Sequence, residues 1–197
     1  MQRLILVSSA LALSAGLVAC GGMSPAAAPM SAPMGAAMPM PMSYSQDMLP
    51  EPVKVPTGHR VAWETVGVGE ITYECKPKAG SPAAFEWVFA GPKADLMSRS
   101  GALLGGYYGP PATWTSKDGS KLTGAQLAVA PAGAGNIPFQ LVKANPDLGS
   151  GALTGVSYIQ RVATQGGVAP SLPCTSEGLG RRETVKYQAD YIFWKPV

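Results

Sequence analysis

The chain has 197 residues, of which only 14% are charged, with a net charge of +3. So weak and scattered a positive charge gives no electrostatic footprint for nucleic acid. A single histidine, His59, argues against His-pair catalysis and against most zinc sites, and it sits at a junction that reads as solvated.

Arg3 precedes an apolar run, Leu4 to Leu17, that is shorter than the ~20 residues of a comfortable membrane span. It fits the core of an export signal over residues 1–19. The run ends Leu17-Val18-Ala19-Cys20 with Gly21-Gly22 after it, which resembles the bacterial lipoprotein box. The resemblance implies cleavage before Cys20, a diacylglycerol on its thiol and an acylated amine (palmitate-type chains). Several chains at about 0.8 kcal/mol per buried CH₂ make a stable anchor. The alternative is an ordinary signal cut near Ala19 that leaves Cys20 as a free thiol. Gly21 after the cysteine favours the outer membrane. The expected address is the bacterial cell envelope, with the lipid bilayer as partner through Cys20.

Residues 20–52 carry that cysteine and a Pro/Met/Ala-rich stretch whose prolines interrupt helix and strand alike, so a disordered tether is expected. Seven of the nine methionines lie here. Met38, Met40 and Met42 are soft thioethers that could hold Cu(I), but no His or Cys reinforces them, and a spacer is the favoured reading. No cofactor is expected.

Residues 53–197 read as strands. Ile71, Tyr73 and Cys75 share one face against Glu70, Thr72 and Glu74. Phe85, Trp87 and Phe89 alternate with Glu86 and Val88. Weaker runs cover 121–129 and 137–142. Val156, Tyr158, Gln160 and Val162 form another face, and Val185, Tyr187, Ala189, Tyr191 and Phe193 a last one. This period of two, in β-branched and aromatic residues, belongs to half-buried strands. Only Pro92 to Arg99 looks helical, and twenty glycines fall in this part. The expected fold is all-β, a single antiparallel β-sandwich or barrel-like domain with little helix. Cys75 and Cys174 form an even pair in an exported domain and so predict one disulfide, against two separate buried thiols.

Ile71-Thr72-Tyr73-Glu74-Cys75, Trp87-Val88-Phe89, Tyr107-Tyr108-Gly109-Pro110, Trp114, Asp118-Gly119-Ser120, Ile137-Pro138-Phe139, Tyr158-Ile159-Gln160-Arg161-Val162 and Tyr187 to Phe193 come in an order and spacing that resemble one family, domain of unknown function 3455. The likeness covers about residues 55–195 and implies a shared fold without an established activity. Many relatives have a histidine where Tyr107 stands, so any chemistry of that histidine is expected to be lost here.

The candidate ligand-binding residues are Tyr107, Tyr108, Trp114, Asp118 and Ser120, where flat aromatic faces with polar handles suit stacking on a sugar or a partner chain. The competing reading is that they close one end of the fold. Arg161, if buried, needs a carboxylate, and Asp190 is the expected partner in a structural ion pair. No Gly-x-Ser-x-Gly elbow is present, and no catalytic residue is assigned. The favoured function is a non-enzymatic envelope lipoprotein that binds an envelope protein or a glycan, or plays a structural part. The alternatives are a hydrolase of envelope or external polysaccharide using Glu64, Glu70, Glu74 or Glu86, and Cu(I) handling by the tether.

Overall fold

A computed structural model describes residues 44–197. Eight strands follow one another: β1 (His59–Lys78), β2 (Ser81–Met97), β3 (Leu103–Tyr108), β4 (Thr113–Ser116), β5 (Lys121–Ala130), β6 (Phe139–Ala144), β7 (Tyr158–Gly166) and β8 (Arg182–Pro196). Each pairs antiparallel with the next, and β8 returns to pair with β1, which closes a barrel. Closure decides between the two expected architectures. Closure leaves no strand with only one neighbour, although the β1–β2 hairpin runs past the closed wall, where residues 81–91 of β2 pair with β1 alone.

The alternating faces found in the sequence become the inside and outside of that barrel. Ile71 and Tyr73 of β1, Ala94 and Leu96 of β2, Tyr107, Trp114, Ile159 and the Tyr187–Phe193 face of β8 form one interior cluster. Two glycines of β1 let the wall close over these large rings. A Cβ on Gly67 would stand 2.5 Å from the Tyr191 ring, and one on Gly69 would collide with the backbone at Lys93 and Ala94.

Residues 92–97, which look helical in the sequence, belong to β2. Ala94 and Leu96 are buried between β1 and β3, and Lys93 and Asp95 face out. Ladder pairing on both sides outweighs a weak local helix preference. The tether also ends earlier than its composition suggests. Val53 and Val55, with Tyr44 and Leu49 packed beside them, cover an apolar patch made by Ala130, Leu141, Val162, Ile192 and Trp194 on the outside of β5–β8. Residues 44–52 are therefore a strap on the barrel wall, with one 3₁₀ turn over Glu51–Val53. Apolar side chains at 44, 49, 53 and 55 give that short segment enough burial to order it.

An up-and-down meander gathers its connections at two ends. The β2–β3, β4–β5 and β6–β7 connections lie at one end, where Leu153 of the β6–β7 loop enters the interior cluster as a plug. The β1–β2, β3–β4, β5–β6 and β7–β8 connections lie at the other. The β7–β8 loop is fastened there by the Cys75–Cys174 disulfide, with Cα atoms 5.5 Å apart, and by Trp87 Nε1 donating to Leu172 O at 2.7 Å.

A candidate ligand cavity at the mouth of the barrel

At the unplugged end a cavity of about 320 Å³ enters the barrel. Its walls come from Ile71 and Tyr73 (β1), Phe89 (β2), Tyr107 (β3), Gly124 and Gln126 (β5), Gln140 and Val142 (β6) and Arg161 (β7), with Ala112, Ile137 and Pro138 at the rim. The volume is at the low end of the ~300–1,000 Å³ typical of small-molecule sites. Phe89 stays 52% exposed at the lip, edge-on to Tyr73 with ring centroids 6.2 Å apart.

The rim is held by bonds that a ligand need not make. Thr164 Oγ1 donates to Ile137 O at 2.7 Å, Gly166 N donates to Asn136 Oδ1 at 2.8 Å, and Tyr73 Oη donates to Gly167 O at 2.8 Å. Such prior ordering lowers the entropic cost of binding.

The inward face of β7 carries Ile159 and then Arg161, so alternation alone turns this guanidinium into the barrel. Arg161 donates Nε and Nη2 to Pro138 O at 3.3 and 2.9 Å. The expected pair with Asp190 does not form. Asp190 sits between inward-facing Ala189 and Tyr191 and so points outward, where its carboxylate takes Arg99 Nη2 at 2.9 Å. The two residues lie on neighbouring strands but on opposite faces of the wall.

Around Arg161 the titratable groups are phenols. Burial raises the pKa of Tyr73, Tyr107, Tyr187 and Tyr191 above the ordinary tyrosine value, and the Arg161 charge opposes that rise in all four. All four are neutral near pH 7, and Tyr187 Oη and Tyr191 Oη share a hydrogen bond of 3.1 Å. Gln140 Nε2 donates to Gln126 Oε1 at 2.6 Å between the paired strands β5 and β6. The result is an aromatic, largely neutral cavity with one fixed positive charge. The polar groups of the lining are phenols, amides and one guanidinium; none of the lining residues is a carboxylate, a histidine or a cysteine.

The residues expected to form a ligand site are dispersed. Tyr107 does line the cavity. Trp114, 1% exposed, lies deeper and stacks on Tyr107 with centroids 4.7 Å apart, so these two rings are occupied with each other. Tyr108 is on the outer face, as the next residue along a strand must be. Asp118 and Ser120 are at the plugged end. Asp118 Oδ1 accepts from Ser120 N and Ser120 Oγ at 2.9 and 2.6 Å, and Oδ2 accepts from Ala152 N at 2.7 Å. Ser120 Oγ in turn accepts from Leu153 N at 3.2 Å. These bonds, the Ser120 hydroxyl first, hold the Asp118 carboxyl well below the usual carboxylate range. The motif fastens the plug. His59 is on the outside, its Nδ1 3.0 Å from Pro56 O and its ring against Tyr158. Glu64 and Glu74 are in outer ion pairs with Arg99 and with Arg182 and Lys76. Cys20, Met38, Met40 and Met42 lie outside the described residues.

Sequence reasoning missed Phe89, Gln126 and Gln140 as lining residues and gave Arg161 the wrong partner. Arg161 shares its strand face with Ile159, so alternation was enough to turn it inward once that face was buried.

The family described as "Protein of unknown function (DUF3455)" matches residues 56–195, and the chain belongs to it. No curated protein and no solved structure shows a match.

Proposed function

We propose that this DUF3455 barrel is the ligand-binding module of a lipid-anchored bacterial envelope protein, and that it holds a small, mostly apolar molecule in its mouth. The observation that carries the reading is the cavity itself: aromatic, roomy enough for a small ligand, open at one end and plugged at the other. The absence of a carboxylate from its lining favours holding a ligand over hydrolysing one. The Leu17-Val18-Ala19-Cys20 box, followed by a Pro/Met-rich stretch, supports the anchor.

Two experiments test this. The full-length lipidated chain in phosphatidylcholine nanodiscs is titrated with phenylacetamide, a water-soluble neutral aromatic probe, by saturation-transfer NMR against empty discs. Binding to wild type that is lost in Gln126→Trp, which places a large ring across the mouth, is the expected result. Equal signals from both proteins would place the probe elsewhere and defeat the reading. For the anchor, Cys20→Ala should leave the membrane fraction and lose the acyl mass from its N-terminal peptide. Unchanged fractionation and mass would remove the lipid anchor from the proposal.

A further inference from the structure

We infer that the cavity selects a small organic carboxylate, with the carboxylate on Arg161 and the apolar or aromatic body against Ile71, Tyr73, Phe89 and Val142. The inference rests on the reading of the barrel mouth as a ligand cavity and names the class of ligand.

The argument starts from the charges available to Arg161. The chain has twelve acidic side chains, the first of them Asp47, so all lie among the described residues. Not one forms an ion pair with Arg161. Its protein partner is a single carbonyl, Pro138 O, which occupies Nε and one Nη2 hydrogen. A guanidinium carries five N–H donors in a rigid fork, so the remaining edge can still receive both oxygens of a carboxylate.

Arg161 is half-exposed, beside apolar groups and neutral phenols, so its unused donors can meet an anion that enters the mouth. The four tyrosines cannot supply that anion near pH 7, because burial keeps their hydroxyls protonated. An anion on this edge of Arg161 therefore comes from outside the chain. A monoanion matches one cation, and the lining holds no lysine or second arginine to match a phosphate dianion. The opposite wall is apolar, so the rest of the ligand is hydrocarbon or aromatic. Gln140 Oε1 and the Gln126 amide N–H groups are not engaged by their mutual bond and can meet a second polar group at the mouth.

The test compares three benzyl probes on the full-length lipidated chain in phosphatidylcholine nanodiscs: phenylacetate, its isostere phenylacetamide, and the cation benzylamine. Charge-assisted bidentate contact should make phenylacetate bind roughly tenfold tighter than phenylacetamide, with benzylamine weakest. Arg161→Gln should erase the advantage of the acid over the amide, and Arg161→Lys should restore part of it. The amide serves as the control for an intact cavity in each variant. Equal affinity for acid and amide in wild type, or an acid preference that survives Arg161→Gln, overturns the carboxylate assignment and leaves the cavity reading standing. Failure of all three probes to bind wild type overturns both. If neither variant folds, the wild-type ratio of acid to amide and amine decides by itself.

Discussion

Gln160 and Arg161 are neighbours in β7 and serve opposite faces of the wall. Gln160 faces outward, is 0% exposed, and has its whole amide engaged. Its Nε2 donates to Val53 O at 2.7 Å and to Gln46 Oε1 at 3.0 Å, and its Oε1 accepts from Trp194 Nε1 at 2.9 Å. Gln46 extends the knot by accepting from Val55 N at 2.7 Å and donating to Val55 O at 2.9 Å. Arg161 faces inward, with one carbonyl for a partner. A polar residue that is satisfied on every side fixes a structure. One left with unused donors in a cavity is available to a ligand. The same strand thus holds the strap on one face and presents the candidate site on the other.

The largest effect should come from the covalent tie at the mouth. Replacing Cys75 and Cys174 opens a loop with a separation of 99 residues. The chain-entropy model puts the loss near 4.7 kcal/mol for a loop of that length. Urea unfolding of the double Ala variant measures it, and a change below about 1 kcal/mol would show that the β7–β8 loop is held mainly by its hydrogen bonds.

Gln160→Leu comes next. It leaves Trp194 Nε1 and the strap carbonyl without partners in a closed site, and should cost about 2–3 kcal/mol. Arg161→Gln, one residue away, should change stability by less than about 1 kcal/mol, because its partners are at the exposed mouth. Equal losses at the two positions in urea titrations would remove the contrast drawn between them.

At the plugged end the effect should depend on pH. The carboxyl of Asp118 has a native pKa below its ordinary value of 3.8, so its contribution is fully present above that value. It is lost as pH falls through the lowered native value. Stability measured from pH 5 downward should therefore fall less steeply in Asp118→Ala than in wild type. The amides of Ala152 and Leu153 should exchange faster in that variant at neutral pH. Identical acid slopes would mean that the plug does not depend on this carboxylate.

The smallest effect belongs to the outer wall. Arg99 joins Glu64 and Asp190 with its own side chain 60% exposed. Arg99→Ala should cost roughly 0–1 kcal/mol and less in high salt.

Much of the barrel was legible because strands alternate. The inward face of β8 and the Ile71-Tyr73 face of β1 could be read directly. Of the expected Val156-Tyr158-Gln160-Val162 face, the last three share the outer side of β7, whereas Val156 precedes the strand and joins the interior cluster. Asp118-Gly119 was readable as a turn, and Gly119 does adopt a positive φ of 90° there. The Tyr107-to-Ser120 stretch misled because it is continuous in sequence and crosses the barrel from mouth to plug. Its rings serve one end and its carboxylate the other.

The sequence alone determined what depends on neighbours along the chain: an all-β class, the strand faces and a pair of cysteines suited to one disulfide. Only the tertiary structure decided that β8 closes on β1, that residues 44–55 seal the outer wall, and that Asp190 and Arg161 are kept apart. A period of two says which residues share a face without saying which face becomes the inside of a closed barrel. A cavity exists only once eight strands have met around it.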